Sequence, residues 1–162
     1  MSKQVVLGID PGTRRIGISV FKGEELIFYA LKTIKEDTPA QTLAKLRKVL
    51  EILIVKYRIE RVAIEKPVFV QQQQSFVKDV YEETKELIKK RDLDLIEHHP
   101  KMVITLICKT GSPTKQTTAQ ILAQRYHELL KYIDASNSRQ TNYFAPLFDA
   151  VAVGFVSVRN EK

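Results

Sequence analysis

Cysteine is almost missing from this sequence. Cys108 stands alone among 162 residues, so no disulfide can close within the chain, and no Cys/His cluster has the spacing of a structural zinc site. Long hydrophobic runs are missing too. No apolar stretch approaches the ~18 residues needed to span a bilayer, and the opening MSKQVVLGID lacks a charged region followed by a long apolar one. These absences predict a cytoplasmic protein in a reducing compartment with no membrane association. No internal repeat or low-complexity tail appears apart from the short run Gln71 to Gln74. With 44% apolar residues a chain of this length can bury one substantial core, so residues 1–162 are read as a single domain.

Positive charge is what the chain has in excess. Against 19 Asp+Glu it carries 26 Lys+Arg, a formal net charge of +7. That balance favours a polyanionic partner through counterion release from phosphates. Lysines scattered over solvated helix faces would give the same total, so charge alone does not decide the matter.

The patterning begins with strands. Val5 to Asp10, Ile16 to Phe21 and Leu26 to Thr33 are three short apolar runs. Lys22-Gly23 supplies the turn between the last two, because Gly23 can take the positive φ a tight hairpin demands. From Thr38 the period changes: Leu43, Leu46, Leu50, Leu53, Ile54 and Tyr57 recur at three and four, with Thr38-Pro39 as cap and first helical residue. Arg61 to Lys66 reads as a central strand stopped by Pro67, Phe76 to Lys90 as a helix, and Leu93 to Glu97 as a further strand. A short helix over Lys101 to Cys108 is broken at Gly111-Ser112-Pro113, and Thr114 or Thr117 caps a helix running to about Leu130. After a polar stretch from Asp134 to Asn142, Pro146 sits where a first helical turn tolerates it, and Leu147 to Val158 is helical. A three-strand meander followed by two helix–strand crossovers predicts an α/β fold with a mixed sheet.

Three acids interrupt apolar runs. Asp10 ends the first strand, Glu65 ends the strand VAIEKP, and Asp149 lies in LFDAVAVGF near the start of the last helix. Burying a carboxylate costs several kcal/mol unless it is paired or holds a cation. Singly, each has an ordinary account: Asp10 as a turn residue before Pro-Gly, Glu65 paired with Lys66 or Arg61, Asp149 favoured by the helix dipole. A divalent cation held by hard oxygen ligands accounts for all three at once, with Mg²⁺ the usual choice over phosphate.

At these residues the sequence resembles a known family. LGIDPGTRRIGISVF, VAIEKPVF and FDAVAVGF are similar, in order and separation over nearly the whole chain, to the three acidic motifs of RuvC-type Holliday-junction resolvases. PKMVITLICKTGSPTKQTTAQIL resembles that family's DNA-contacting stretch, with Lys115 matching its lysine. The resemblance implies a ribonuclease H-like fold: a five-stranded mixed sheet, an antiparallel meander plus two parallel strands, flanked by helices. It also implies a homodimer that nicks four-way DNA junctions symmetrically, with a branch-migration helicase as a further partner. Asp10, Glu65 and Asp149 then become the catalytic ligands of two Mg²⁺ or Mn²⁺ ions, ~3.5–4 Å apart in a two-metal scheme. Phe69 lies near the place of the family's base-contacting aromatic, although a core or dimer-interface role fits it equally.

Two departures stand out. Pro146 occupies the position, three before the last aspartate, where the family usually has another acid or a histidine, which leaves Asp134 or water to complete the second ion. Ile104 replaces a basic residue, a phosphate contact that Lys101 or Lys109 would have to take over. Rival readings are a binding module on the same fold that has lost turnover, a YqgF-type nuclease acting on RNA, and a relative of the actin and heat-shock ATPases. For the ATPases the chain is too short and lacks a second phosphate loop.

Overall fold

The computed structural model describes residues 2–67, 75–109, 111–133 and 143–159. Five strands form one sheet in the order β3-β2-β1-β4-β5. The first three, β1 (Val5–Asp10), β2 (Arg15–Lys22) and β3 (Glu25–Thr33), are the expected meander. Lys22 pairs with Glu25, leaving a two-residue turn whose first position, Gly23, has φ 61°. That positive φ matches the right-handed twist of the hairpin and is open to glycine at little cost.

The chain then crosses under the sheet. Helix α1 (Pro39–Tyr57) starts on a reciprocal capping box between Thr38 and Gln41 and ends with Arg58 in the left-handed region, φ 53°. It delivers β4 (Arg61–Glu65), which pairs parallel to β1. Helix α2 (Ser75–Lys90) delivers β5 (Asp94–His98), parallel to β4. Strand alternation sorts the side chains between two layers. Leu7, Ile9, Ile18, Val62 and Ile64 pack with Leu46 and Leu50 of α1 and Val80 and Ile88 of α2 on one face.

The opposite face carries three helices: α3 (Pro100–Ile107), α4 (Lys115–Arg125) and α5 (Ala145–Arg159). Thr114 caps α4, its hydroxyl accepting from the backbone of Thr117. The expected continuation of α4 to about Leu130 does not occur. The helix stops at Arg125, and a 3₁₀ turn, His127–Tyr132, follows. The reason is tertiary: the Tyr126 hydroxyl donates to the Glu24 carbonyl at 2.8 Å, and its ring meets Phe21 and Phe155 edge-on. These contacts hold Tyr126 at φ −118°, outside the helical region.

Helix α5 is buried along nearly its whole length and lies directly on β1 and β2. Two glycines permit the approach. A Cβ on Gly8 would stand 2.4 Å from the Ala150 carbonyl oxygen, and one on Gly17 would stand 1.8 Å from the Pro146 carbonyl oxygen. Ser19 donates to the Ala150 carbonyl at 2.8 Å across the same seam. Gly17→Ala is therefore expected to push the start of α5 off the sheet and cost about 1–3 kcal/mol, read as a lowered midpoint in thermal or urea unfolding. An unchanged midpoint would show that α5 can retreat freely. Among the described residues, no helix is long and apolar enough to cross a membrane.

Candidate active site

Asp10 and Glu65 are the last residues of two adjacent parallel strands. The register sets Ile9 opposite Ile64, so the carboxylates that follow emerge at one level of the sheet. Both point to the α5 side, because Gly8 lies under Ala150 and Ala63 packs in the α5 core. Asp149, early in α5, is lowered onto them by the glycine seam. The result is a cluster in which one ligand oxygen from each of Asp10, Glu65 and Asp149 lies within 4.8 Å of the other two.

The setting is hostile to three negative charges. Burial, followed by the charges of Glu65 and Asp149, pushes the Asp10 carboxyl well above the ordinary carboxylate range. Burial and Asp149 raise Glu65 to about 7, and burial raises Asp149 despite an opposing cation beside it. That cation is Lys115, the first residue of α4. Its Nζ donates to Asp149 Oδ2 at 2.8 Å and lies 3.8 Å from Glu65 Oε1. The carboxylates outnumber it. Hard oxygen donors, clustered and short of positive charge, fit divalent cations of the Mg²⁺ class.

The ordinary account of Glu65 is thereby displaced. Arg61 sits at the other end of β4 and meets Asp94 at 3.4 Å, while Glu65 has Lys115 instead. Lys115, expected as a DNA contact, is brought into the acid cluster, although its side chain remains 56% exposed. Lys115→Met is expected to tighten divalent-ion binding, because the ion no longer competes with an ammonium group. Isothermal titration with Mn²⁺ would measure this, and weaker binding would make Lys115 an organiser of the ligands rather than a competitor.

The other expected residues scatter. Lys101 is exposed in the first turn of α3, next to Pro100, which lines the crevice leading to Glu65 and Asp149. Ile104 lines that crevice as well. Lys109 does not reach it: it borders a separate cavity of about 460 Å³ with Arg125 and Arg159. Phe69, Gln71 to Gln74 and Asp134 lie outside the described residues. Pro146 takes part in the glycine seam through its carbonyl, and the acid cluster among the described residues has three members.

Sequence reasoning overlooked His98 and the pair Arg15 and Tyr143. His98 pairs with Glu65 across β4 and β5, and its Nε2 is buried without a hydrogen-bond partner. The polar ring ending an otherwise ordinary strand was the available signal. Arg15 opens β2, and its guanidinium carbon lies 4.0 Å from the centre of the Tyr143 ring. No spacing rule connects residues so far apart.

A mixed sheet of this order, with carboxylates at the ends of β1 and β4 and a third from a crossing helix, is the ribonuclease H-like arrangement. Solved structures agree on the fold. The Thermus thermophilus RuvC structure superposes with a TM-score of 0.74 at 18% identity, covering 98% of this chain and 96% of that one. The same protein in complex with a Holliday junction substrate gives 0.74 at 16%, covering 98% and 95%.

Within that class the family is specific. The sequence profile of crossover junction endodeoxyribonuclease RuvC matches residues 6–143, and the chain belongs to that family of junction-resolving DNA endonucleases. The match includes Asp10 and Glu65 and ends before Asp149. A relative of the same name from Christiangramia forsetii is 27% identical over 145 residues, 84% of this chain and 76% of that protein. Another, from Cytophaga hutchinsonii, is 26% identical over 144 residues, 83% and 72% of the two chains.

Proposed function

We propose that this chain resolves four-way DNA junctions, with Asp10, Glu65 and Asp149 as catalytic residues holding two Mg²⁺ or Mn²⁺ ions. The observation that carries this reading is the convergence of the three carboxylates within 4.8 Å at the ends of β1 and β4. When bound, such ions polarise the scissile phosphate, activate a water for attack and stabilise the leaving oxygen.

The chain's own residues do the rest. Glu65 and Asp10 are fixed by the parallel pairing of β1 with β4, so their separation does not depend on a loop. Asp149 is held by the close contact of α5 with Gly8 and Gly17. Lys115 lies at the mouth of the cluster, where its ammonium offsets part of the charge of the acids and is placed to meet a phosphate on the incoming strand. Lys101, on the rim, is a second phosphate contact in this reading. Phe69 meets a base at the opened junction. Lys109, beside Arg125 and Arg159, contacts DNA only where an arm runs past the far end of α3.

A homodimer suits the substrate, since two equivalent sites related by a two-fold axis address opposing strands of a two-fold symmetric junction. A branch-migration helicase would present that junction. The test is incubation of the purified protein with labelled four-way junction, linear duplex and RNA–DNA hybrid in Mg²⁺ or Mn²⁺. Paired, symmetric nicks confined to the junction are the expected result. Tight junction binding without nicks would favour a binding module in which Pro146, standing for the fourth ligand, has ended turnover. Cleavage of the hybrid alone would move the substrate to RNA.

A further inference from the structure

A second feature stands beside the carboxylates. Along β2, alternation turns Arg15, Gly17, Ser19 and Phe21 toward α5. Gly17 pairs with Asp10, so Arg15 lies two residues, ~7 Å, beyond the level at which the Asp10 carboxylate emerges. In the sheet order β2 and β4 flank β1. Arg15 is therefore on the opposite side of Asp10 from Glu65.

The Arg15 guanidinium lies against the Tyr143 ring, 4.0 Å from its centre. Tyr143 is anchored a second way. Phe144 meets it edge-on with centroids 4.9 Å apart, and Phe144 packs on Tyr132 at 4.7 Å. Tyr132 in turn meets Tyr29 of β3 at 6.0 Å, and Lys131 lies over the Tyr132 ring. Yet Tyr143 remains 49% exposed. A tyrosine fixed by a cation on one ring face and by an aromatic neighbour, while the residue as a whole stays 49% exposed, is pre-ordered for a planar ligand.

The neighbourhood says which ligand. In the nuclease reading the substrate strand must pass over Asp10, Glu65 and Asp149, and Arg15 stands on the same face of the sheet beside that path. A paired base already has stacked neighbours on both faces, whereas an unpaired one has a free face and stacks on an aromatic ring without regard to sequence. Arginine beside the ring adds attraction for the backbone phosphate.

We propose that Tyr143, held by Arg15, is a stacking seat for an unpaired nucleobase of the strand crossing the acidic site, adjacent to the phosphate that is cut. The proposal rests on the nuclease reading above. It makes Tyr143 a binding residue that selects DNA whose pairing is broken beside the nick.

The experiment places 2-aminopurine singly at successive positions around the nick of a four-way junction and follows its fluorescence on binding in EDTA, so that no cleavage occurs. One position is expected to be quenched by the wild type and by Tyr143→Phe but not by Tyr143→Leu. The leucine variant should bind the junction about 5- to 100-fold more weakly, with affinity for linear duplex and thermal midpoint unchanged. Arg15→Gln should weaken binding non-additively with it, as expected of two residues acting as one unit. Equal quenching by Tyr143→Leu would overturn the seat. If the wild type binds no junction, the nuclease reading fails instead. The seat is then decided on a single-stranded 2-aminopurine oligonucleotide, where loss of quenching in Tyr143→Leu supports it and no difference overturns it.

Discussion

Asp10→Asn is expected to abolish junction nicking while making the metal-free protein more stable. Asparagine keeps the shape of the side chain but removes one of three negative charges crowded within 4.8 Å. The loss of activity follows from the ligand set. Changing a residue that merely supports a ligand typically costs 10–100-fold in metal affinity or activity, so removing a ligand carboxylate should cost at least about 100-fold. The gain in stability follows from electrostatics. Asp10 is the acid whose proton affinity is raised by burial and then by both partners, so its ionised form opposes folding at neutral pH. Initial nicking rates in Mg²⁺ and urea unfolding in EDTA at pH 8 would be measured on the same preparations. Lost activity with lost stability would mean that Asp10 is a structural turn residue, and retained activity would sink its role as a ligand.

The metal-free protein should also become less stable between pH 5 and pH 8, and divalent ions should reverse this. Glu65 protonates near 7 in the folded chain against an ordinary value of 4.5. A folded state that binds the proton more tightly than the unfolded state is favoured while the group is protonated in both. It loses that advantage as pH rises through 4.5 to about 7. A shift of that size corresponds to on the order of 3 kcal/mol, and Asp10 and Asp149 act in the same direction. Ions bind the ionised carboxylates, so Mg²⁺ or Mn²⁺ should raise the thermal midpoint more at pH 8 than at pH 5. Calorimetric scans at the two pH values, with ion or EDTA, would show it, and Glu65→Gln should flatten the metal-free slope. An equal increment from the ion at both pH values would place its binding elsewhere.

The two expectations share one cause. In the proposed reading, stability in the ion-free state is given up so that three carboxylates stand ready for cations, and Lys115 offsets part of the cost. The same arrangement accounts for the small residues of the seam: Gly8 and Gly17 let α5 come close enough for Asp149 to join Asp10. A larger residue at Gly17 should therefore weaken catalysis as well as folding, through displacement of Asp149.

Much of this was legible in the linear sequence, because the signals are local. The apolar runs Val5–Asp10 and Ile16 to Phe21, the glycine of the hairpin turn and the Thr38 cap each act over a few residues and formed as expected, and of the two candidate caps Thr114 and Thr117 it is Thr114 that caps α4. The three acids were conspicuous because each breaks an apolar run, a conflict that a core does not tolerate without compensation. The overextended end of α4 shows where local reading fails. The segment favours helix, but a hydrogen bond from Tyr126 to Glu24 and the packing of its ring win.

By itself, then, the sequence determined most of the elements, the mixed sheet and which acids interrupt apolar runs, since period, capping and buried charge are properties of short windows. Only the tertiary structure decided that Asp10 and Glu65 emerge at one level, that Lys115 sits among the acids while Lys109 lies in another cavity, and that Arg15 covers Tyr143. The physical reason is that these juxtapositions depend on strand register and on how closely helices settle on the sheet. Both are set by contacts between residues far apart in the chain.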